Sequence, residues 1–134
     1  MAEDLEERIN MARLIIKSES VEEFFKRGRE TARRADAGLS MPKHTVLSFE
    51  DASEMLALLT PARLKLIHAV KARPGSITSI ANILKRDRSA VKRDVDTLSR
   101  FGVVLVKEEI SPGHGRRKVV WPSARKIKLE AEVF

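Results

Sequence analysis

One stretch constrains the fold more than any other: Ile77-Thr78-Ser79-Ile80-Ala81-Asn82-Ile83-Leu84-Lys85-Arg86-Asp87-Arg88-Ser89-Ala90-Val91-Lys92-Arg93-Asp94-Val95-Asp96-Thr97-Leu98. It divides into two short helices with a tight turn at Lys85-Arg86. Asp87 is placed as the N-cap of the second helix, where a short side-chain oxygen accepts from the free N–H groups of the first turn. Val91, Val95 and Leu98 come next at i, i+4 and i+7, with Ala90 beside them, and form one apolar stripe. The opposite face carries Arg88, Ser89, Lys92, Arg93 and Asp96. An apolar back and a basic front on the second of two short helices is the pattern of a helix-turn-helix, which reads base edges with the N-terminal residues of that helix. Arg88, Ser89 and Ala90 therefore face bases, with Lys92 and Arg93 one turn on. Arg and Lys suit guanine or phosphate, and Ser accepts or donates. Lys85 and Arg86, in the turn, are placed for phosphate contacts. The competing reading of one such helix is an ordinary amphipathic helix with a solvated basic face.

The residues after the second helix favour the DNA-reading alternative. Gly102 after Arg100-Phe101 stops the helix in a left-handed turn. Val103-Val104-Leu105-Val106 then changes to a β-branched apolar run. Ser111-Pro112-Gly113-His114-Gly115 is a turn signal, and Val119-Val120-Trp121-Pro122 returns as a second strand. This hairpin is a wing directly behind a recognition helix. Arg116, Arg117 and Lys118 lie on the return side of its tip, where cations meet the DNA backbone or the minor groove. As plain hairpin chemistry, the same cations would only discourage edge-to-edge pairing.

Before the helix-turn-helix, Thr60-Pro61 starts a helix over 61–72 that buries Leu64, Ile67 and Val70, with Leu66 on its flank. His68 lies beside that stripe as a half-buried histidine. Ser76 caps the next helix, and Asp51 or Ser53 starts a shorter one with Met55, Leu56, Leu58 and Leu59. His44 to Phe49 reads as a short strand, after a linker at Leu39-Ser40-Met41-Pro42-Lys43. At the other end Lys126-Ile127-Lys128-Leu129-Glu130-Ala131-Glu132-Val133 alternates strictly. It is a half-exposed strand with Ile127, Leu129, Ala131 and Val133 inward, able to pair beside Val46 and Leu47.

Residues 3–17 present Leu5, Ile9, Ala12 and Ile16 at helical spacing and read as one helix. Ser20-Val21-Glu22-Glu23 is a capping box, opening a second helix that buries Phe24 and Phe25 and ends near Gly38. Leu5, Ile9, Ile16, Phe24 and Phe25 need cover. Either the two helices pack back on the domain, or they join a second subunit or another protein.

Charge sharpens the division. Residues 1–36 hold eight Lys and Arg against nine Asp and Glu, whereas residues 37–134 hold eighteen against ten, so the net +7 sits in the second part. A basic excess confined to one domain is an electrostatic footprint for nucleic acid. No Cys occurs, which excludes disulfides and thiolate metal sites and fits a cytoplasmic protein, nucleoid-associated when bound to DNA. The acidic start lacks the apolar segment of a signal peptide, and no apolar run is long enough to span a membrane. His44, His68 and His114 have no metal-like spacing. With no nucleophile–base pair, phosphate loop or metal cluster, the expectation is a protein that is not an enzyme and uses no cofactor.

The order helix, helix, recognition helix, hairpin over residues 60–122 resembles winged-helix regulators of the MarR and ArsR type. The run Arg86 to Val95, with Leu98 and Phe101-Gly102-Val103-Val104, is similar to a family of small prokaryotic DNA-binding proteins. In that family an arginine-rich helix and a short strand lead into the winged helix, as Ala32-Arg33-Arg34-Ala35-Asp36-Ala37-Gly38 and Leu47-Ser48-Phe49-Glu50 do here. Members are often encoded beside a small toxin and act as its antitoxin. The resemblance implies a repressor of its own operon that also holds a toxin.

The reading is an α+β chain: a helical extension over 1–38 for dimerisation or partner binding, then a winged helix-turn-helix domain over 39–134. It is a homodimeric transcriptional regulator that reads the major groove of double-stranded DNA with helix 88–100. The wing, 107–120, lies on the backbone or in the minor groove. The alternative is a winged-helix protein–protein adaptor without specific DNA binding.

Overall fold

Five helix starts are fixed by local side-chain caps. In the computed structural model, which describes residues 2–41, 44–113 and 115–133, Ser20 Oγ accepts from the Glu23 N–H, Asp51 from Ser53, Thr60 from Arg63 and Ser76 from Ser79. Asp87 accepts from both Ser89 and Ala90. Each cap satisfies a backbone donor that has no partner within its helix. The chain runs α1 (Ala2–Met11), β1 (Arg13–Ser18), α2 (Val21–Asp36), β2 (Thr45–Phe49), α3 (Ala52–Leu58), α4 (Pro61–Ala72), α5 (Ile77–Leu84), α6 (Arg88–Arg100), β3 (Val104–Ser111), β4 (Gly115–Pro122) and β5 (Lys126–Glu130). The Pro42-Lys43 part of the expected linker and His114 of the hairpin turn lie outside the described residues.

Helices α4, α5 and α6 pack their apolar faces together and lead into the antiparallel hairpin β3–β4, in register from Val104↔Pro122 to Ser111↔Gly115. Gly75, in the turn before α5, adds a bridge to the hairpin: the Val120 N–H donates to Gly75 O at 2.8 Å, and the Gly75 N–H returns to Val120 O at 3.3 Å. Three helices and a hairpin in this order form a winged helix-turn-helix. Gly102 has φ +76, the left-handed geometry that ends α6. There the Val103 N–H reaches back to Leu98 O at 2.9 Å.

The second sheet departs from the sequence reading. Residues 3–17 are not one helix. The helix stops at Met11, and Arg13–Ser18 is the central strand of a three-stranded parallel sheet ordered β2-β1-β5. Leu14-Ile15-Ile16 is an apolar run of the kind a strand covered on both faces carries. β-Branched isoleucines also lose less freedom in a strand than in a helix. Strand β5 pairs with β1 (Leu14↔Ile127), not with β2, which pairs with the other edge of β1 (Ile15↔Val46). Ile127 packs against the core, but Leu129, Ala131 and Val133 are exposed. The inward alternation therefore ends within β5.

One core joins both sheets. Leu14 and Ile16 of β1 belong to the same cluster as Met55 and Leu58 of α3, Leu66 and Val70 of α4, Ile80 of α5, Val91, Val95 and Leu98 of α6, and Val104 and Val120 of the hairpin. In α4 the fully buried residues are Leu66 and Val70. Leu64 and Ile67 are only partly covered, one helical step round from the expected stripe. His68 is exposed rather than half-buried. Among the described residues, no helix is long and apolar enough to cross a membrane.

The partner-facing set divides. Ile16 is fully buried in the core and Ile9 of α1 is buried, so neither offers a surface to another molecule. Leu5 is half-buried. Phe24 and Phe25, expected to be buried, are 47% and 56% exposed, and no residue of α2 is buried. Ile16→Ala is accordingly expected to cost about 2–5 kcal/mol, the range for a truncated core side chain. Phe25→Ala, measured at low protein concentration, is expected to stay within about 0.5 kcal/mol. Urea unfolding of the two variants against the parent chain measures both, and equal losses would refute the placement of β1.

Candidate nucleic-acid interface

The turn between α5 and α6 sets the geometry of the candidate site. Lys85 takes a left-handed conformation (φ 54), unusual outside glycine, and its side chain is exposed. The next N–H, from Arg86, bonds back to Ala81 O at 3.0 Å. The chain thus reverses within two residues and Asp87 can cap α6 immediately.

Helix α6 buries Val91, Val95 and Leu98. This leaves Arg88, Ser89, Lys92 and Arg93 exposed on the far side, with Ala90 half-buried. Arg88 Nε donates to Thr78 Oγ1 of α5 at 3.0 Å, which steers its guanidinium across the start of the motif. Lys92 Nζ lies 2.8 Å from Asp96 Oδ2 one turn on. Such an exposed pair contributes little to stability, so the ammonium is readily given up to another anion.

Arg86 is placed differently from the sequence reading. It is half-buried, and its Nη2 donates to Asp94 Oδ2 at 2.8 Å. Asp94 Oδ1 accepts from Arg63 Nε at 3.1 Å, and Arg63 Nη1 in turn donates to Leu58 O at 3.1 Å and Ala57 O at 3.3 Å. One carboxylate on α6 therefore ties together the end of α3, the start of α4 and the helix-turn-helix turn. Burial pushes the Asp94 carboxyl up, but the hydrogen bonds and charges of Arg86 and Arg63 outweigh it and hold the group below its ordinary value. Arg86 positions α6. Its Nη1 is buried with no hydrogen-bond partner among the described residues.

The hairpin sorts its three cations by strand alternation. Arg116 and Lys118 share the face of β4 that carries Val120, and Arg117 points the other way. Arg116 approaches Glu108 at 3.7 Å and Arg117 approaches Glu109 at 4.0 Å, both exposed pairs. Between α6 and the hairpin runs a groove of about 290 Å³ lined by Lys92, Asp96, Arg100, Val106 and Lys118, with Ile77 at its floor. Arg100 was missed by sequence reasoning. The signal was its position eight residues after Lys92, on the same helix face. Lys92, Arg100 and Lys118 line this groove, and Arg88 and Arg93 stand exposed on α6 outside it, together a basic surface suited to a polyanion. Among the described residues, no group of three or more acidic or histidine side chains is gathered to hold a metal ion.

A family model named HVO_A0114 matches residues 58–128, from the end of α3 into β5. Among solved structures the chain is similar to a possible transcriptional regulator from Methanosarcina mazei Go1. The identity is 20%, the TM-score 0.44, and the match covers 55% of this chain and 66% of that one. It is also similar to a MarR family transcriptional regulator from Silicibacter pomeroyi DSS, at 20% identity and a TM-score of 0.42. That match covers 74% of this chain and 56% of the other. The chain thus spans less than two thirds of the length of either structure. No curated protein matches.

The Asp94 clamp has a pH signature. A carboxyl with a depressed folded-state pKa stabilises the fold above its unfolded value, about 3.9, and loses that contribution as the pH falls through the lower folded value. Asp94→Asn should cost about 1.5–3 kcal/mol at pH 7, the range for hydrogen bonds to a charged group. Urea unfolding of the two proteins from pH 7 downward should show their stabilities converging in strong acid. A constant gap across the series would mean that the charge of Asp94 contributes nothing.

Proposed function

This chain belongs to the HVO_A0114 family, and from that premise we propose that it is a sequence-specific DNA-binding transcriptional regulator. The observation that carries the reading is the continuity of the basic face of α6 with the Lys118 side of the wing across one groove. Helix α6 enters the major groove, with Arg88, Ser89 and Ala90 nearest the bases and Lys92 and Arg93 one turn behind. Lys85, exposed at the turn, meets a phosphate. The wing places Arg116 and Lys118 along the backbone or minor groove, and Arg117 lies on its other face. The family match spans this whole apparatus and leaves out α1, β1, α2, β2 and all of α3 but its last residue.

The regulator acts in the cytoplasm as a dimer on two half-sites, about 34 Å apart centre to centre, the spacing of one helical turn. Repression of its own operon and capture of a small toxin rest on the resemblance to antitoxins encoded beside their toxins. Co-purification with the product of a neighbouring gene tests the toxin part. One observation favours a second reading, a protein–protein adaptor: α2 leaves Phe24 and Phe25 uncovered.

Fluorescence anisotropy on a duplex from the upstream region, against a scrambled duplex and across a salt series, separates the two readings. Counterion release makes purely phosphate binding collapse with salt, so a preference that survives raised salt marks base readout. Arg88→Ala or Arg93→Ala should cost about 1–3 kcal/mol and relax specificity at one position. Arg116→Ala and Lys118→Ala should weaken binding to all sequences and reduce the salt slope by about one each. Arg117→Ala should do less than either. Unchanged operator binding by the Arg88, Lys92 and Arg93 triple alanine variant would remove α6 from the interface.

A further inference from the structure

Helix α2 is turned the wrong way for a helix that serves only its own chain. Its half-buried residues, facing the rest of the protein, are Arg27, Thr31 and Arg34. They are held by polar contacts: Arg27 to the buried Glu19 at 2.6 Å, Thr31 Oγ1 to Arg27 O at 2.9 Å, and Arg34 to Ser40 O at 2.9 Å. The apolar stripe Val21, Phe25, Gly28, Ala32 and Ala35, with Phe24 beside it, is exposed along its length. Its spacing of four, three, four, three is the seam of a helix pair. Gly28 adds an independent mark. A Cβ there would meet nothing within 4 Å, so the chain's own packing does not require glycine. Glycine in a helix interior nonetheless costs about 1 kcal/mol relative to alanine.

We propose that this chain pairs with a second copy of itself through α2, the two helices running antiparallel and crossing at Gly28. The helix is asymmetric in a way that only this arrangement makes self-complementary. Its large residues, Val21, Phe24 and Phe25, lie at the N-terminal end, and its small ones, Gly28, Ala32 and Ala35, lie from the middle to the C-terminal end. Antiparallel pairing about a two-fold axis sets Phe25 of each copy against the small half of the other, and Gly28 lets the backbones approach at the axis. Charge obeys the same rule. Glu22 and Glu23 occupy the first turn and Arg33 the last, while Arg34 is turned to its own chain at Ser40 O, so the acidic end of each helix lies toward the basic end of the other and the helix dipoles oppose. Parallel pairing would bring like ends together. A helix of 16 residues is about 24 Å long and offers a small interface, so the pairing depends on concentration. This deepens the dimeric part of the proposed function and does not rest on DNA binding.

Sedimentation velocity of the full chain without DNA, over a wide concentration range, tests it separately from operator binding. The parent chain should shift from monomer to dimer. Gly28→Leu and Phe25→Lys alter exposed positions and leave the core intact, and each should raise the dissociation constant about tenfold or more, a loss typical of a central interface residue. The chain has no cysteine, so Gly28→Cys should give a disulfide-linked dimer on mild oxidation, whereas Glu30→Cys, on the opposite face, should not. A parent chain that stays monomeric throughout would overturn the proposal. So would a dimer whose dissociation constant neither substitution changes, or equal cross-linking at positions 28 and 30.

Discussion

The orientation of α6 depends on one carboxylate. Apolar contacts through Val91, Val95 and Leu98 bury the back of the helix and select its inward face, but packing without directional bonds leaves small rotations about the helix axis free. Asp94 removes that freedom. Its two oxygens are taken by guanidinium groups from opposite sides, Arg63 at the start of α4 and Arg86 in the turn, and Arg63 also closes carbonyls at the end of α3. A half-buried carboxylate is costly unless paired, and two arginines satisfy it where one would leave lone pairs open. The exposed cations of α6 inherit their direction from this junction, because the basic front is fixed relative to the wing only while the back cannot turn.

The elements legible in the sequence are those whose chemistry is local. Each cap binds an N–H two or three residues ahead, so Ser20, Asp51, Thr60, Ser76 and Asp87 announce their helices without reference to the rest of the chain. Gly102 and the Ser111–Gly115 turn mark the hairpin in the same way. The features that escape are non-local. Leu14-Ile15-Ile16 satisfies a helical stripe and a buried strand alike. The choice is made by β2 and β5, which lie far along the chain. Arg63 bonds Asp94 from 31 residues away, and Arg86 bonds it across the turn from eight residues away, a spacing with no local signature, so Arg86 looks free for phosphate in the sequence when it is already engaged in the fold. In the wing, the sequence reading takes Arg116, Arg117 and Lys118 as one set, whereas strand alternation separates Arg117 from the other two.

Helix α2 shows how a helix start can be right and the helix's direction wrong. The capping box at Ser20 to Glu23 predicts a helix that buries Phe24 and Phe25, and the helix exists. The cap does not say which way its apolar face points. The direction is set by Glu19, buried at the end of β1, whose carboxyl is held down by the hydrogen bond from Arg27 and by the charges of Arg27 and Lys17. A buried carboxylate demands a cation more strongly than two phenylalanines demand cover, since leaving a charge unpaired costs more than leaving rings half exposed. Arg27 therefore faces inward and Phe25 outward.

The parallel sheet has a consequence for the order in which the molecule is made. Its middle strand, β1, is synthesised early, while one of its two partners, β5, comes after the entire winged helix: Arg13 pairs with Lys126 and Ile16 with Leu129. Pairings this distant carry the largest loop-closure cost and form late. During translation, then, β1 keeps one edge open until β5 emerges, a row of unpaired backbone groups beside the apolar Leu14-Ile15-Ile16. The helices and hairpin from α4 to β4 make mostly short-range contacts and can settle first. Strand β5 seals the sheet, so the ribosome delivers the winged-helix half as a finished body before the half that holds it closed is complete.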